Sequence, residues 1–355
     1  MATDDYPKGT AADPKASGAY PIARSADPSV LLAAAKSGNR AALGRLLSLS
    51  ERPGRAGREV SRLVFGEGEA QHVVGLTGAP GAGKSTLTDR VIGVIRAGEA
   101  KVGVLAIDPS SPFSGGAILG DRIRMGGHAL DDGVFIRSMA TRGHQGGLAL
   151  AAPEAIRVLV SCGYTTILVE TVGVGQVEVA IAGAADTTVV VVNPGWGDSV
   201  QAAKAGLLEI ADIFVVNKAD RPGADQVKRD LESMLDLAGA HPQRDGPQRD
   251  GRTRWRPPVL ATRALSADGA GVDELWDAIC THRRHIAESG ELEERRQRRL
   301  LDEARSVLVA ELMSEVDAIE QEQAYRQVAH ALITREVDPY GAAARLRKAI
   351  GINPR

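Results

Sequence analysis

The 355 residues carry 43 basic and 45 acidic side chains, a formal net charge of −2, and are 43% hydrophobic and 25% charged. That is the make-up of a globular chain with room for one large α/β domain and helical additions, or for two domains. The near-neutral balance gives no electrostatic case for nucleic acid or a membrane surface. Cys162 and Cys280 lie far apart, with no CxxC and no Cys/His cluster, and read as buried thiols of a reducing compartment. With neither a signal-like start nor an apolar run of roughly 20 residues, the expectation is a cytoplasmic protein.

Residues 1–27, rich in Ala, Asp, Pro and Gly, read as a disordered tail. Residues 28–65 read as a helical segment: Leu31, Leu32, Ala35, Leu43, Leu46 and Leu47 recur at helical spacing, with Gly38 and Asn39 between two short helices. A turn is expected over Arg52–Gly57.

A nucleotide domain is expected over 66–288. It opens with the apolar run His72–Thr77, followed by Gly78-Ala79-Pro80-Gly81-Ala82-Gly83-Lys84-Ser85-Thr86 and a helical stretch, Leu87–Ala97. Strand, GxxxxGK[ST] and helix in that order form a P-loop. The glycines bring backbone N–H groups close to phosphate oxygens, and the helix N-terminus adds its dipole. Lys84 would reach the β- and γ-phosphates, and the Ser85 hydroxyl would bind Mg²⁺.

Short β-branched runs follow at Val102–Ile107, Val134–Ile136, Thr166–Val169, Thr188–Val192, Ile213–Val216 and Val259–Leu260. They alternate with helical stretches at Leu148–Val160, Gln201–Ile210 and Asp225–Leu237. The fold class read from this is α/β: a P-loop NTPase whose mostly parallel sheet is flanked by helices, with helical extensions at both ends. Chemistry in such sheets sits at the carboxyl ends of the strands.

Four strand ends carry polar groups. Asp108 opens a Gly/Ser-rich segment that also contains Asp121, which reads as a switch over a metal-bound phosphate. Without a ligand, Asp108 would cap a turn and Asp121 would form a surface ion pair. Glu170, followed by Gly173, fits a Walker-B acid and a γ-phosphate sensor, although the acid is Glu, one carbon longer than Asp. Gln176 does not directly follow that glycine, as the water-orienting glutamine of Ras-like enzymes does, and receives no catalytic role. Trp196 lies in a glycine-rich loop and reads equally as a contact surface or a packing anchor.

Asn217-Lys218-Ala219-Asp220 is an NKxD pattern. Its Asp220 carboxylate can accept from guanine N1–H and the exocyclic amine, donors that adenine lacks. The loop Thr262–Ala267 would supply a backbone N–H to guanine O6, with Ala264, Leu265 and Ala267 as candidates. His128 and His144 lie in switch-like loops; His282 and His285 share a helix face and read as surface residues. Residues 240–258, with two copies of QRDG, read as a mobile insertion. Residues 289–355 read as a helical extension, in which Leu301, Ala304, Leu308, Leu312, Val316 and Ile319 form an apolar stripe needing a partner.

Taken together, GAPGAGKST, AIDPSSPFSGGAILGDRIRM, RSMATRGHQGGLA, ETVGVGQ, NPGWGDSVQAAKAG, NKAD and DPYGAA resemble the MeaB/MMAA-like (ArgK-type) GTPases, chaperones of adenosylcobalamin-dependent acyl-CoA mutases. The resemblance runs from about Leu31 to Ala343. It implies GTP–Mg²⁺ hydrolysis to GDP by a homodimer whose helical tail helps to form the dimer. The implied partner is methylmalonyl-CoA mutase or a relative, whose cofactor loading is gated and which is protected or reactivated. It also makes Asp198 and Lys204, in a third switch, candidates for partner-coupled catalysis, beside Lys84 and Asp108. The chain departs from the family in its QRDG insertion, its long N-terminal tail and Arg263. The competing readings are a nickel-enzyme maturation GTPase and an ArgK-type P-loop kinase or transport-associated ATPase.

Overall fold

Near-continuous apolar strands need cover on both faces, and the chain supplies it. The computed structural model describes residues 27–51, 54–108, 126–128, 130–140, 147–171, 183–195, 206, 208–239, 255–319 and 323–349. Seven strands, β1 (His72–Gly78), β2 (Val102–Asp108), β3 (Val134–Ala140), β4 (Thr166–Thr171), β5 (Thr187–Val192), β6 (Ile213–Asn217) and β7 (Val259–Thr262), form one sheet. Its order is β3-β2-β4-β1-β5-β6-β7, and every neighbouring pair is parallel. β1, which delivers the P-loop, lies between β4 and β5.

Among the described residues, three helices precede the sheet: α1 (Pro28–Lys36), α2 (Arg40–Ser50) and α3 (Arg55–Val64). Asp27 Oδ1 accepts from Ser29 N at 2.9 Å and Asn39 Oδ1 from Ala42 N at 3.0 Å, capping α1 and α2. The helix α3 corrects the expected turn over Arg52–Gly57. It begins at Arg55, after Gly54 at φ 118°, and Ala56, Val60, Leu63 and Val64 give it an apolar stripe at helical spacing, which carries the helix into the stretch whose Pro and Gly suggest a turn. After β1 come α4 (Lys84–Ala97), α5 (Gly147–Ser161), α6 (Ala224–Gly239) and α7 (Val272–Glu288). Of the helix expected at Gln201–Ile210, residues 206 and 208–210 are helical and the remainder lies outside the described residues.

Alternation along each strand sorts side chains between two layers. Leu105, Ile107, Ile167 and Val169 pack with α1–α3 and α5 on one face. Val74, Leu76, Leu168, Val189 and Val191 pack with α4 and α7 on the other. Val190, Val192, Phe214 and Val216 pack against α6. The free thiols Cys162 and Cys280 are half-buried, and burial pushes both up from their ordinary range.

At the amino edge of the sheet, Thr187 Oγ1 lies 2.8 Å from His72 Nε2 and 2.8 Å from His282 Nδ1. Asp212 Oδ1 stands 3.3 Å from His282 Nε2, and its Oδ2 accepts from Thr188 N at 2.8 Å. The expectation that His282 is a surface residue is therefore wrong: it is fully buried. Its turn of α7 faces the start of β5 and not solvent. Trp255 closes the cluster, its ring edge-on to His282 at 4.9 Å and its Nε1 donating to Asp212 O at 2.8 Å. Thus the last residues of the expected 240–258 insertion are tied down; residues 240–254 lie outside the described set.

The chain divides into two compact units, one ending at Glu294 and the other starting at Arg295. The helix α8 (Glu291–Ile319) runs through the boundary; α9 (Gln323–Ile333) and α10 (Pro339–Ala349) pack together, burying Ala331 and Ala342. Asp338 Oδ1 caps α10 by accepting from Tyr340 N and Gly341 N. Along α8, Leu301, Leu308, Leu312 and Met313 are exposed. No helix among the described residues is long and apolar enough to cross a membrane.

Candidate nucleotide site

The carboxyl end of β1 turns into the P-loop at Gly78, whose φ is 129° and whose missing Cβ would stand 2.0 Å from Val191 O of β5. Only glycine fits, because both the backbone conformation and the approach of β5 exclude a side chain. Ala82 N donates to Ala79 O at 3.2 Å, closing the turn, and Gly83, at φ 90°, leads into α4. Lys84 and Ser85 are the first residues of α4 and both are buried. The Lys84 ammonium donates back to Gly78 O at 2.7 Å and Ala79 O at 3.1 Å, so it lies across the mouth of the loop. Pro80 and Gly81 are exposed at the tip, and Thr86 is half-buried one residue beyond Ser85.

Glu170, the penultimate residue of β4, is level with Leu76 of β1 and fully buried. Ser85 Oγ donates to its Oε1 at 2.6 Å. A hydroxyl and a carboxylate side by side at the first turn of a helix form a hard-oxygen donor set, matching the preference of Mg²⁺ for few protein ligands completed by phosphate and water. Asp108 is the last residue of β2, at the same edge of the sheet. Asp121, Gly173, Asp198 and Lys204, and with them His144, Gln176 and Trp196, lie outside the described residues. His128 faces Asp89 of α4, its Nε2 lying 3.2 Å from the Asp89 carbonyl oxygen and 3.4 Å from Oδ1.

The NKAD segment leaves the carboxyl end of β6. Asn217 is buried, and its carboxamide spans three segments. Its Nδ2 donates to Ala82 O at 2.8 Å, while its Oδ1 accepts from Thr262 Oγ1 at 3.1 Å and Ala264 N at 3.3 Å. A Cβ on Gly83 would meet Nδ2 at 2.6 Å, so glycine there makes room for this brace. Lys218, at φ 58°, folds its stem over the P-loop, and its ammonium donates to Gly81 O at 2.6 Å. Asp220 is exposed in the turn that follows. Ser266 N is engaged by Arg263 O at 3.0 Å. Thus Asn217 shares the Ala264 N–H, and Leu265, 75% exposed, is the next backbone donor. The motif reading placed Asn217 in the base site without foreseeing its bond to the phosphate loop. That link appears only once the sheet sets the end of β6 near the P-loop of β1, with β5 alone between them.

A parallel sheet bearing a P-loop on its central strand and NKAD four residues past the start of β6 defines a P-loop GTPase. Residues 43–321 match the family described as methylmalonyl-CoA mutase-associated GTPase MeaB, and the chain belongs to that family. It is 47% identical over 315 residues to a protein of Pyrococcus abyssi named as a GTPase, covering 89% of this chain and 94% of that one. It is 36% identical over 271 residues to the GTPase ArgK of Escherichia coli, covering 75% of this chain and 78% of ArgK. Among solved structures, an LAO/AO transport system kinase superposes with a TM-score of 0.64 at 27% identity, covering 91% of this chain and 97% of that one.

Proposed function

We propose that the protein is a Mg²⁺-dependent GTPase, slow alone, that serves as chaperone of an adenosylcobalamin-dependent acyl-CoA mutase of the methylmalonyl-CoA mutase type. The observation that carries the nucleotide reading is the Asn217 brace: one carboxamide ties the phosphate loop to the loop expected over the base. A ligand contacting both loops then meets a preorganised site, the condition under which positioning and charge stabilisation drive phosphoryl transfer.

Each residue has a part. The P-loop of Gly78–Thr86, through its amides other than the N–H-less Pro80, holds the phosphates, and Lys84 turns from the Gly78 and Ala79 carbonyls onto the β- and γ-phosphate oxygens. Ser85, Glu170, Asp108 and Asp121 hold Mg²⁺ directly or through water; the ion supplies charge neutralisation at the phosphates. Gly173 senses the γ-phosphate. Asp220 accepts from guanine N1–H and the 2-amino group, Lys218 covers the loop, and the Ala264–Leu265 turn offers a backbone N–H to O6. Asp198 and Lys204 act when the partner is engaged.

The family's description as mutase-associated supports the partner. The exposed leucines of α8 support a homodimer built through the helical tail. The test is GTP hydrolysis, with ATP as control, alone and with purified methylmalonyl-CoA mutase. GTP-specific stimulation is expected. A rate indifferent to any such mutase would overturn the chaperone reading, and a preference for ATP would overturn the base reading.

A further inference from the structure

Arg90 lies on α4, six residues beyond the P-loop lysine, and reaches across to the loop after β7. Its Nε donates to Ala264 O at 3.0 Å and its Nη2 to Ser266 O at 3.1 Å. These two carbonyls flank Leu265, so one planar guanidinium grips the loop on either side of that residue. A guanidinium fork offers such paired donors in fixed geometry; an ammonium does not.

The peptide unit makes this grip consequential. Ala264 C=O and Leu265 N–H belong to the same planar trans peptide and point in opposite directions. Fixing the carbonyl from α4 therefore fixes the direction of the Leu265 N–H. Donation to the carbonyl also polarises that peptide and strengthens its N–H as a donor. The neighbouring amides are otherwise held, Ala264 N by Asn217 Oδ1 and Ser266 N by Arg263 O.

We propose that Arg90 is a positioning residue for purine recognition, aiming the Leu265 N–H at the 6-oxo group of the base. The proposal rests on the reading above that this loop caps guanine. It adds that the helix leading from the phosphates also sets the loop that reads the 6-position.

The test uses the full chain and three diphosphates: GDP, IDP (which lacks the 2-amino group) and the 2-aminopurine riboside diphosphate (which lacks the 6-oxo group and, with it, the N1–H). Arg90→Ala and Arg90→Lys are expected to weaken GDP and IDP about tenfold and to leave the 2-aminopurine ligand unchanged. The preference for GDP over IDP, set by Asp220, then persists, while the preference for GDP over the 2-aminopurine ligand falls by the same factor of about ten, leaving the part that the N1–H bond to Asp220 maintains. Equal weakening of all three ligands overturns the proposal, because a merely structural role would not respect base chemistry. A wild type that prefers GDP to the 2-aminopurine ligand by a factor that both substitutions leave undiminished overturns it too. A wild type indifferent to the 6-oxo group overturns the guanine-capping reading as well. Arg90→Lys, which keeps the charge and most of the stem, guards against a failure to fold in Arg90→Ala.

Discussion

Ser85 Oγ and Glu170 Oε1 stand 2.6 Å apart, joining the first turn of the P-loop helix to the end of the strand beside β1. If this pair holds Mg²⁺, Glu170→Gln should raise the Mg²⁺ concentration giving half-maximal GTP hydrolysis by roughly 10–100-fold, as loss of a group that orients a metal ligand does elsewhere. GDP binding in the presence of a chelator should be nearly unchanged. A Mg²⁺ titration of single-turnover hydrolysis, with a fluorescent GDP analogue as control, checks both.

In the proposed site the exposed Asp220 offers the carboxylate that would distinguish guanine. Asp220→Asn replaces an acceptor pair by one acceptor and one donor, so GTP should lose about 1.5–3 kcal/mol, on the order of 10–150-fold in affinity. Xanthosine triphosphate, whose 2-oxo group can accept from the new amide, should gain. Competition binding with GTP, xanthosine triphosphate and ATP measures the reversal. Retention of GTP preference by the variant would place base recognition elsewhere.

Thr187 sits between two imidazoles at the opposite edge of the sheet. Thr187→Val keeps the shape but removes a hydroxyl that serves both rings, and should lower stability by about 1–3 kcal/mol. Nucleotide affinity should change little, because the nucleotide loops leave the other edge. Urea unfolding beside GDP binding separates the two effects.

Arg96 grips Asp131 through two bonds, Nε to Oδ2 at 2.8 Å and Nη2 to Oδ1 at 3.0 Å. This hydrogen bonding, aided by Gly133 N, holds the Asp131 carboxyl below its ordinary range and raises Arg96. Because the folded pKa is depressed, the stabilisation is fully present above the unfolded aspartate value and is lost as pH falls through the folded one. Wild type should therefore exceed Asp131→Asn in melting temperature at neutral pH, with the gap narrowing as pH falls below the unfolded aspartate value. A gap independent of pH would mean the pair contributes by packing alone.

The phosphate and base motifs were legible because each is contiguous: Gly78–Thr86 and Asn217–Asp220 carry their chemistry in adjacent residues, and the flanking strands announce themselves by β-branched runs. What escaped depends on which distant segment comes alongside. Nothing in the spacing of His282 and His285 discloses that β5 brings Thr187 to within hydrogen-bond distance of the first. The choice between Ala264 and later residues of the capping loop stayed open in sequence, since Asn217 engages the Ala264 N–H only once β7 pairs with β6. The helix α3 falls within the stretch expected to be helical, but its start is hidden: the Pro and Gly of Arg52–Gly57 suggest a turn, while the apolar stripe of Ala56, Val60, Leu63 and Val64 already begins inside it.

The brace at Asn217 also bears on how such a site can change over evolutionary time. The two loops share one carboxamide, so under the proposed reading a substitution there would perturb grip on the triphosphate and discrimination of the base together. Asp220 is exposed and outside that brace, leaving it open to variation without dismantling the cradle. A lineage drifting toward a new base would then alter Asp220 first, while Asn217 stayed fixed by its obligation to the P-loop.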